Sequence, residues 1–151
     1  MNYELTYSNH GMAFTESFED CKLVAYQDQA GVWTIGWGHT AGVSEGDTCT
    51  QEMAYAWLIE DMAPVIAAVN TCEVDLNQMQ FDALVDFGFN LGVEALLGST
   101  LWRLVNARDF NGAEAQFPRW CHAGGLVSAG LLRRRKAEDA EFSDTAGDGL
   151  A

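Results

Sequence analysis

Glu19, Asp28 and Thr34 are the residues of this 151-residue sequence whose types and spacing could do chemistry together. Asp28 follows Glu19 by nine positions and Thr34 follows Asp28 by six, so two carboxylates and a hydroxyl share one short stretch of chain. Cleavage of a glycosidic bond needs a protonated carboxylic acid for the leaving oxygen and an ionised one to activate water or stabilise positive charge. Glu19, with Phe18 and Leu23 as apolar neighbours, suits the acid role. Asp28, between Gln27 and Gln29, suits the ionised one. Most Asp and Glu residues of soluble proteins are solvated surface charges, so this spacing alone does not separate chemistry from surface.

Three elements must position these groups. Phe14, Phe18 and Cys21 fall at i, i+4 and i+7, which predicts a short amphipathic helix over 9–21, with Asn9 as its cap and Glu19 near its end. From Leu23 to Trp37, Val24, Tyr26, Val32, Trp33, Ile35 and Trp37 favour strands and Gly31, Gly36 and Gly38 favour turns, predicting a hairpin or a three-stranded sheet. Residues 42–50 read as a loop ending at a Thr50 cap, and Met53, Ala54, Trp57, Leu58 and Met62 open a helix that Pro64 is expected to kink or end. Helical periodicity follows over 79–89, 100–107, 111–120 and 129–142, punctuated by Gly92, Gly98, Gly112 and Gly124-Gly125. Helix, small sheet, then helices only is an α+β order, and a substrate cleft between a sheet-bearing and a helical lobe is its natural consequence.

Composition bounds the function. The length is that of one domain, and 48% hydrophobic residues support a real core. The net charge of −14 repels polyanions, so nucleic acid is an unsuitable partner. Residues 1–75 hold twelve acids and only Lys22, whereas residues 76–151 hold ten acids and seven bases. No apolar run reaches the length of a membrane helix, and residues 1–20 resemble neither an export signal nor an anchor. Cys21, Cys49, Cys72 and Cys121 are spaced irregularly and read as free thiols. Cys121 beside His122 lacks the compact partner pair of a zinc site, and no metal or cofactor is expected. Arg133, Arg134, Arg135 and Lys136 form the only basic run, expected as a solvated helix face paired with Glu138, Asp139 and Glu141.

The stretch Phe18-Glu19-Asp20-Cys21-Lys22-Leu23-Val24-Ala25-Tyr26-Gln27-Asp28, continuing through Gly31-Val32-Trp33-Thr34-Ile35-Gly36-Trp37-Gly38-His39-Thr40, closely resembles the phage-lysozyme family of endolysins, glycoside hydrolase family 24. The resemblance continues in order through Gln78 to Val85, Phe89-Asn90-Leu91-Gly92, Ser99-Thr100-Leu101, Phe117-Pro118-Arg119-Trp120, Ala123-Gly124-Gly125 and Gly130 to Arg135, covering about residues 11–142. It implies a two-lobed lysozyme-like α+β fold with the active-site cleft between the lobes. Within a single catalytic domain over 1–151, the sheet-bearing lobe is expected at about 12–55, the helical lobe at about 56–143 and a frayed tail at 144–151.

The resemblance also implies hydrolysis of the β-1,4 bond between N-acetylmuramic acid and N-acetylglucosamine in peptidoglycan, by inversion. Glu19 takes the role of general acid, and Asp28 and Thr34 orient and activate water. His39 reads as a direct acid or base or, preferably, as a polar strut that organises the site. Thr40, Phe89, Asn90 and Arg119 are the candidate substrate-binding residues; packing is the competing reading for Phe89, and packing with an internal ion pair for Arg119 and its neighbour Trp120. A lytic transglycosylase and a noncatalytic wall-binding module are the alternatives. Retention of Asp28 and Thr34 argues against the first, and retention of all three catalytic residue types against the second. A monomer without membrane anchor, held in the host cytoplasm until a holin opens its way to the wall, completes the expectation.

Overall fold

The computed structural model describes residues 4–144; the expected frayed tail lies, but for its first residue, outside them. The elements in chain order are α1 (Asn9–Phe18), β1 (Lys22–Gln27), β2 (Trp33–Gly36), α2 (Gln51–Val69), α3 (Gln78–Leu91), α4 (Val93–Leu97), α5 (Thr100–Asn106), α6 (Phe110–Glu114), a 3-10 turn (Phe117–Arg119), β3 (His122–Ala123), β4 (Leu126–Val127) and α7 (Ala129–Phe142). The chain divides into two compact units, one of residues 12–63 and one joining the N-terminal segment through Gly11 to the chain from Pro64 onward. Among the described residues, no helix is long and apolar enough to cross a membrane.

In the unit 12–63, β1 and β2 pair antiparallel, with Tyr26 opposite Thr34 and Gln27 opposite Trp33. The 42–50 segment does more than connect. Its residues Asp47 and Cys49 exchange backbone hydrogen bonds with Ala25 and Leu23 at 2.9 Å, around a bridge between Val24 and Thr48. The sheet is thus two strands plus one bridging segment. The Thr50 cap is present, its Oγ1 accepting from Met53 N at 3.1 Å.

Pro64 neither ends nor delimits α2, which runs on to Val69. Proline inside a helix sacrifices a hydrogen bond and costs about 3 kcal/mol. Ala54, Leu58, Met62, Val65 and Val69 form a buried stripe at helical spacing on both sides of it, and that burial outweighs the loss.

In the other unit, the core is built from α3, α5, α7 and the 3-10 turn, with Phe81, Leu84, Val85, Phe87, Leu101, Val105, Phe117 and Phe142 nearly inaccessible. Phe117 lies between the Phe87 and Phe142 rings, at centroid distances of 5.8 and 5.6 Å. The cap of α1 is Ser8 rather than Asn9: Ser8 Oγ accepts from Gly11 N at 2.9 Å and donates to Asp82 Oδ2. Asn9 itself is helical. Gln78 Nε2 also donates to Asp82 Oδ1, and Asn77 closes a capping box with Gln80 at the start of α3. The expected helix over 111–120 is divided into α6 and the Phe117–Arg119 turn, where Pro118 lacks the donor a longer helix would need. Gly124 and Gly125, with φ of +59° and +81°, turn a small β3–β4 hairpin that only glycine accepts readily.

The basic run is only half a solvated face: Arg133 and Lys136 are exposed, but the middle of the run is not. Arg134 and Arg135 are buried, as are Glu138 and Asp86. Arg134 binds Asp86 through Nε and Nη2, both at 2.9 Å. Arg135 meets Glu138 at 2.7 Å, donates to Asn90 Oδ1 at 2.8 Å and lies 5.1 Å from the centre of the Phe87 ring. The charges fold inward because α7 packs on α3, which supplies Asp86 and Asn90. Burial, then the neighbouring Asp86, pushes the Glu138 carboxyl well above its usual value, while burial lowers the Arg135 guanidinium.

Candidate active site

Glu19 sits one residue beyond α1, its N–H still bonded to Thr15 O at 3.1 Å, so the helix carries the half-buried carboxylate on its final turn. The Gly36-Trp37-Gly38 turn approaches it. Ile35 and His39 exchange both backbone hydrogen bonds at 2.9 Å across that turn. Gly38 has φ of +83°, and the position its Cβ would take lies 3.9 Å from Glu19 Oε2. The left-handed backbone is what calls for glycine here, since a Cβ at that distance would make only ordinary contact with the acid.

Asp28 is exposed at the end of β1 and folds its own loop. Its Oδ1 accepts from Ala30 N and Val32 N, both at 2.9 Å, and its backbone N–H donates to Val32 O. Oδ2 accepts no hydrogen bond from the described residues. One oxygen is pinned by the backbone, and the other is available to water. Thr34 is buried, with Oγ1 donating to Val32 O at 2.9 Å, which leaves its lone pairs to accept.

Tyr26 is the residue that sequence reasoning missed. It stands opposite Thr34 on the paired strands, which sets those two on one face, and precedes Asp28 by two residues at the end of the strand. Burial, followed by the charges of Glu19, Asp28 and Asp20, pushes its phenol above the usual value. Both carboxylates thus act electrostatically on one side chain. The available signal was the two-residue spacing of Tyr26 and Asp28 on a strand.

His39 is buried, with Nδ1 2.8 Å from Asp61 Oδ2 and its ring stacked on Trp57 at 4.7 Å. Both partners come from α2. These contacts hold the imidazole by an acid on one edge and an aromatic face, and Thr40 follows it in an exposed position. Glu19, Asp28, Thr34, His39 and Thr40 all lie in the unit 12–63.

Phe89, Asn90 and Arg119 belong to the other unit. Phe89 and Asn90 are half-buried in the last turn of α3 and Arg119 is exposed. Asn90 Oδ1 is committed to Arg135, leaving its amide N–H groups as the donors it could offer. The four cysteines are free, and no cluster of metal-ligating side chains occurs among the described residues.

The phage lysozyme family model matches residues 16–138, spanning every candidate site residue. The chain belongs to the phage lysozyme family. It is 43% identical over 140 residues to the endolysin of Acyrthosiphon pisum secondary endosymbiont phage 1, covering 89% of this chain and 96% of the relative. It is 38% identical to the endolysin of Salmonella phage P22, with coverages of 89% and 96%. Relatives from Bacillus phages are longer, and the chain spans about half (53%) of the B103 endolysin. The muramidase domain of SpmX from Asticaccaulis excentricus superposes with a TM-score of 0.87 at 38% identity, covering 92% of this chain and 98% of that one. The fold is lysozyme-like, with mixed helices and a small antiparallel sheet, and this phage lysozyme family member is a glycoside hydrolase.

Proposed function

We propose that the protein is a muramidase of the endolysin kind, hydrolysing the β-1,4 bond between N-acetylmuramic acid and N-acetylglucosamine for host cell lysis. The observation that carries this reading is the pairing of unlike carboxylates in one unit. Glu19 is half-buried against the Gly36–Gly38 turn, and Asp28 is exposed with one oxygen tied to the backbone and the other open. Glu19 donates its proton to the leaving oxygen, while Asp28 Oδ2 and Thr34 Oγ1 hold and activate water for attack with inversion. His39, fixed by Asp61 and Trp57, organises the turn that borders Glu19. Thr40, Phe89, Asn90 and Arg119 contact the glycan.

Glu19→Gln keeps the shape and removes the acid, so hydrolysis of purified sacculi is expected to fall by about 10²- to 10⁴-fold with the unfolding midpoint unchanged. Near-normal activity of the folded variant overturns the assignment. Reducing muramic acid ends among the products indicate hydrolysis, and anhydro ends the transglycosylase alternative. The same proposal has a monomer that accumulates in the host cytoplasm and reaches the wall once a holin acts. Timely lysis in a host expressing the enzyme with no holin rejects that part.

A further inference from the structure

A pocket of about 500 Å³ in the unit 12–63 is bounded by Glu16, Trp37, Gln51, Glu52 and Tyr55, none of which has a part in the chemistry above. We propose that this pocket is a second binding site that takes the ammonium group of an aliphatic amine. Its polar wall holds two carboxylates, which accept when ionised, and the Gln51 amide, which both accepts and donates. Its apolar wall is the Trp37–Tyr55 pair, with ring centroids 6.4 Å apart at 78°. Acceptors beside aromatic faces suit a ligand that carries positive charge and N–H donors on an alkyl stem.

Charge strengthens the assignment. Residues 12–63 hold nine Asp and Glu residues against Lys22 alone, a net charge of −8, so the unit draws cations from a distance. Neither Glu16 nor Glu52 forms an ion pair with a described residue. Glu52 lies in the first turn of α2, where the helix dipole favours a carboxylate. Glu16 lies in the last turn of α1, at the negative end of its helix, where an acid is unfavourable and a cation is welcome. An ammonium ion bound in the pocket would offset that unfavourable charge.

The site shares its chain segments with the proposed general acid: Glu16 precedes Glu19 on the same helical stretch, and Trp37 precedes the Gly38 that faces Glu19 Oε2. Where the proposed function holds, the amine belongs to a diamino-acid side chain on the peptide of the wall, and the pocket recognises that peptide beside the glycan. A free diamine carries the same chemistry, and the two sources separate by experiment.

The first arm needs no substrate. Titration of the ¹⁵N-labelled protein with 1,5-diaminopentane is expected to shift the Trp37 indole N–H and the Gln51 and Glu52 amides saturably, and equal concentrations of 1-pentanol to shift none of them. Glu16→Gln/Glu52→Gln is expected to weaken the amine about tenfold with its unfolding midpoint retained. No saturable shift, equal shifts by pentanol, or undiminished binding by the double variant overturns the site. The second arm compares hydrolysis of sacculi whose peptide amines are free or acetylated. A KM at least threefold lower for the free amine in the wild type, and no such difference in the double variant, assigns the wall peptide. Equal KM values in the wild type, with first-arm binding intact, reject the wall peptide and assign a free amine. Absence of hydrolysis on either substrate is failure of the muramidase reading and leaves the first arm to decide the pocket.

Discussion

Replacing Glu138 by glutamine tests the buried charge cluster most directly, because the amide keeps the shape of the protonated acid and removes the titration. Glu138 is fully buried, 2.7 Å from Arg135 and 4.0 Å from Arg134, with Asp86 as its acidic neighbour. Although two guanidiniums face it, burial dominates and its folded pKa is raised. An acid raised on folding binds more protons in the native state between its unfolded and folded pKa values. Its contribution to stability is therefore complete below about pH 4.3 and is lost as pH rises through the folded value, by up to about 1.4 kcal/mol per pH unit.

The substituted amide cannot titrate, so the stability of Glu138→Gln minus that of the wild type must grow more favourable from pH 4 upward and level off once the native carboxyl is ionised. The amide leaves an N–H group near Arg135, and that constant offset is destabilising by about 1–3 kcal/mol. Only the slope is diagnostic. Asp82 and Glu141 are also raised by burial, but they titrate in both proteins and cancel in the difference. Urea unfolding of the two proteins at half-unit intervals from pH 4 to 8 supplies the curve. A difference that becomes less favourable with rising pH would show that the arginines, not burial, set the carboxyl, and would refute the reasoning.

Three further outcomes follow from the geometry. Ser8→Ala removes the α1 cap and one partner of buried Asp82, and is expected to cost about 1–2 kcal/mol in urea unfolding; a cost within error of zero denies Ser8 the capping role. Asp61→Asn leaves His39 stacked on Trp57 but without its carboxylate partner, with an expected loss of about 1–2 kcal/mol in urea unfolding; unchanged unfolding shows the pair to be idle. Because the unit carrying Glu19 and Asp28 has net charge −8, wall lysis is expected to rise with salt up to about 0.15 M, where the Debye length falls to about 8 Å. Steady inhibition by salt from the lowest ionic strength argues against repulsion as the governing term.

Long periodic segments were legible in the sequence: 79–89, 100–107 and 129–142 lie within or overlap closely with α3, α5 and α7, and Thr50 caps α2. What escaped depended on partners distant in sequence. Arg133 and Lys136 are exposed as the run suggested, but Arg134 and Arg135 looked solvated too because nothing local reveals that Asp86, 48 residues from Arg134, waits on the facing helix. Pro64 looked like a kink or a stop because proline chemistry is local; it is no stop, because the buried stripe that carries α2 past it is a tertiary effect. Asn9 looked like a cap, but Ser8 is held by Asp82 and takes the position. α4 has only five residues, too few to show a period. A motif singled out Glu19, Asp28 and Thr34 as candidates, whereas the nearness of Glu19 to Gly38 and the tethering of Asp28 Oδ1 were not legible, since both depend on how turns close.

That tether makes the two oxygens of Asp28 inequivalent. Oδ1 is in effect part of the backbone, closing residues 28–32 into a small ring, while Oδ2 remains a side-chain atom free to meet solvent. Under the proposed function, loop architecture and reactive chemistry draw on a single residue. Lengthening it by one methylene, as in glutamate, disturbs both at once, whereas asparagine keeps the acceptor that shapes the loop and removes only the charge. On that reading the loop is constrained from two directions: a new loop conformation needs another anchor before residue 28 can change, and a replacement for the proposed catalytic carboxylate must also be able to fold the turn.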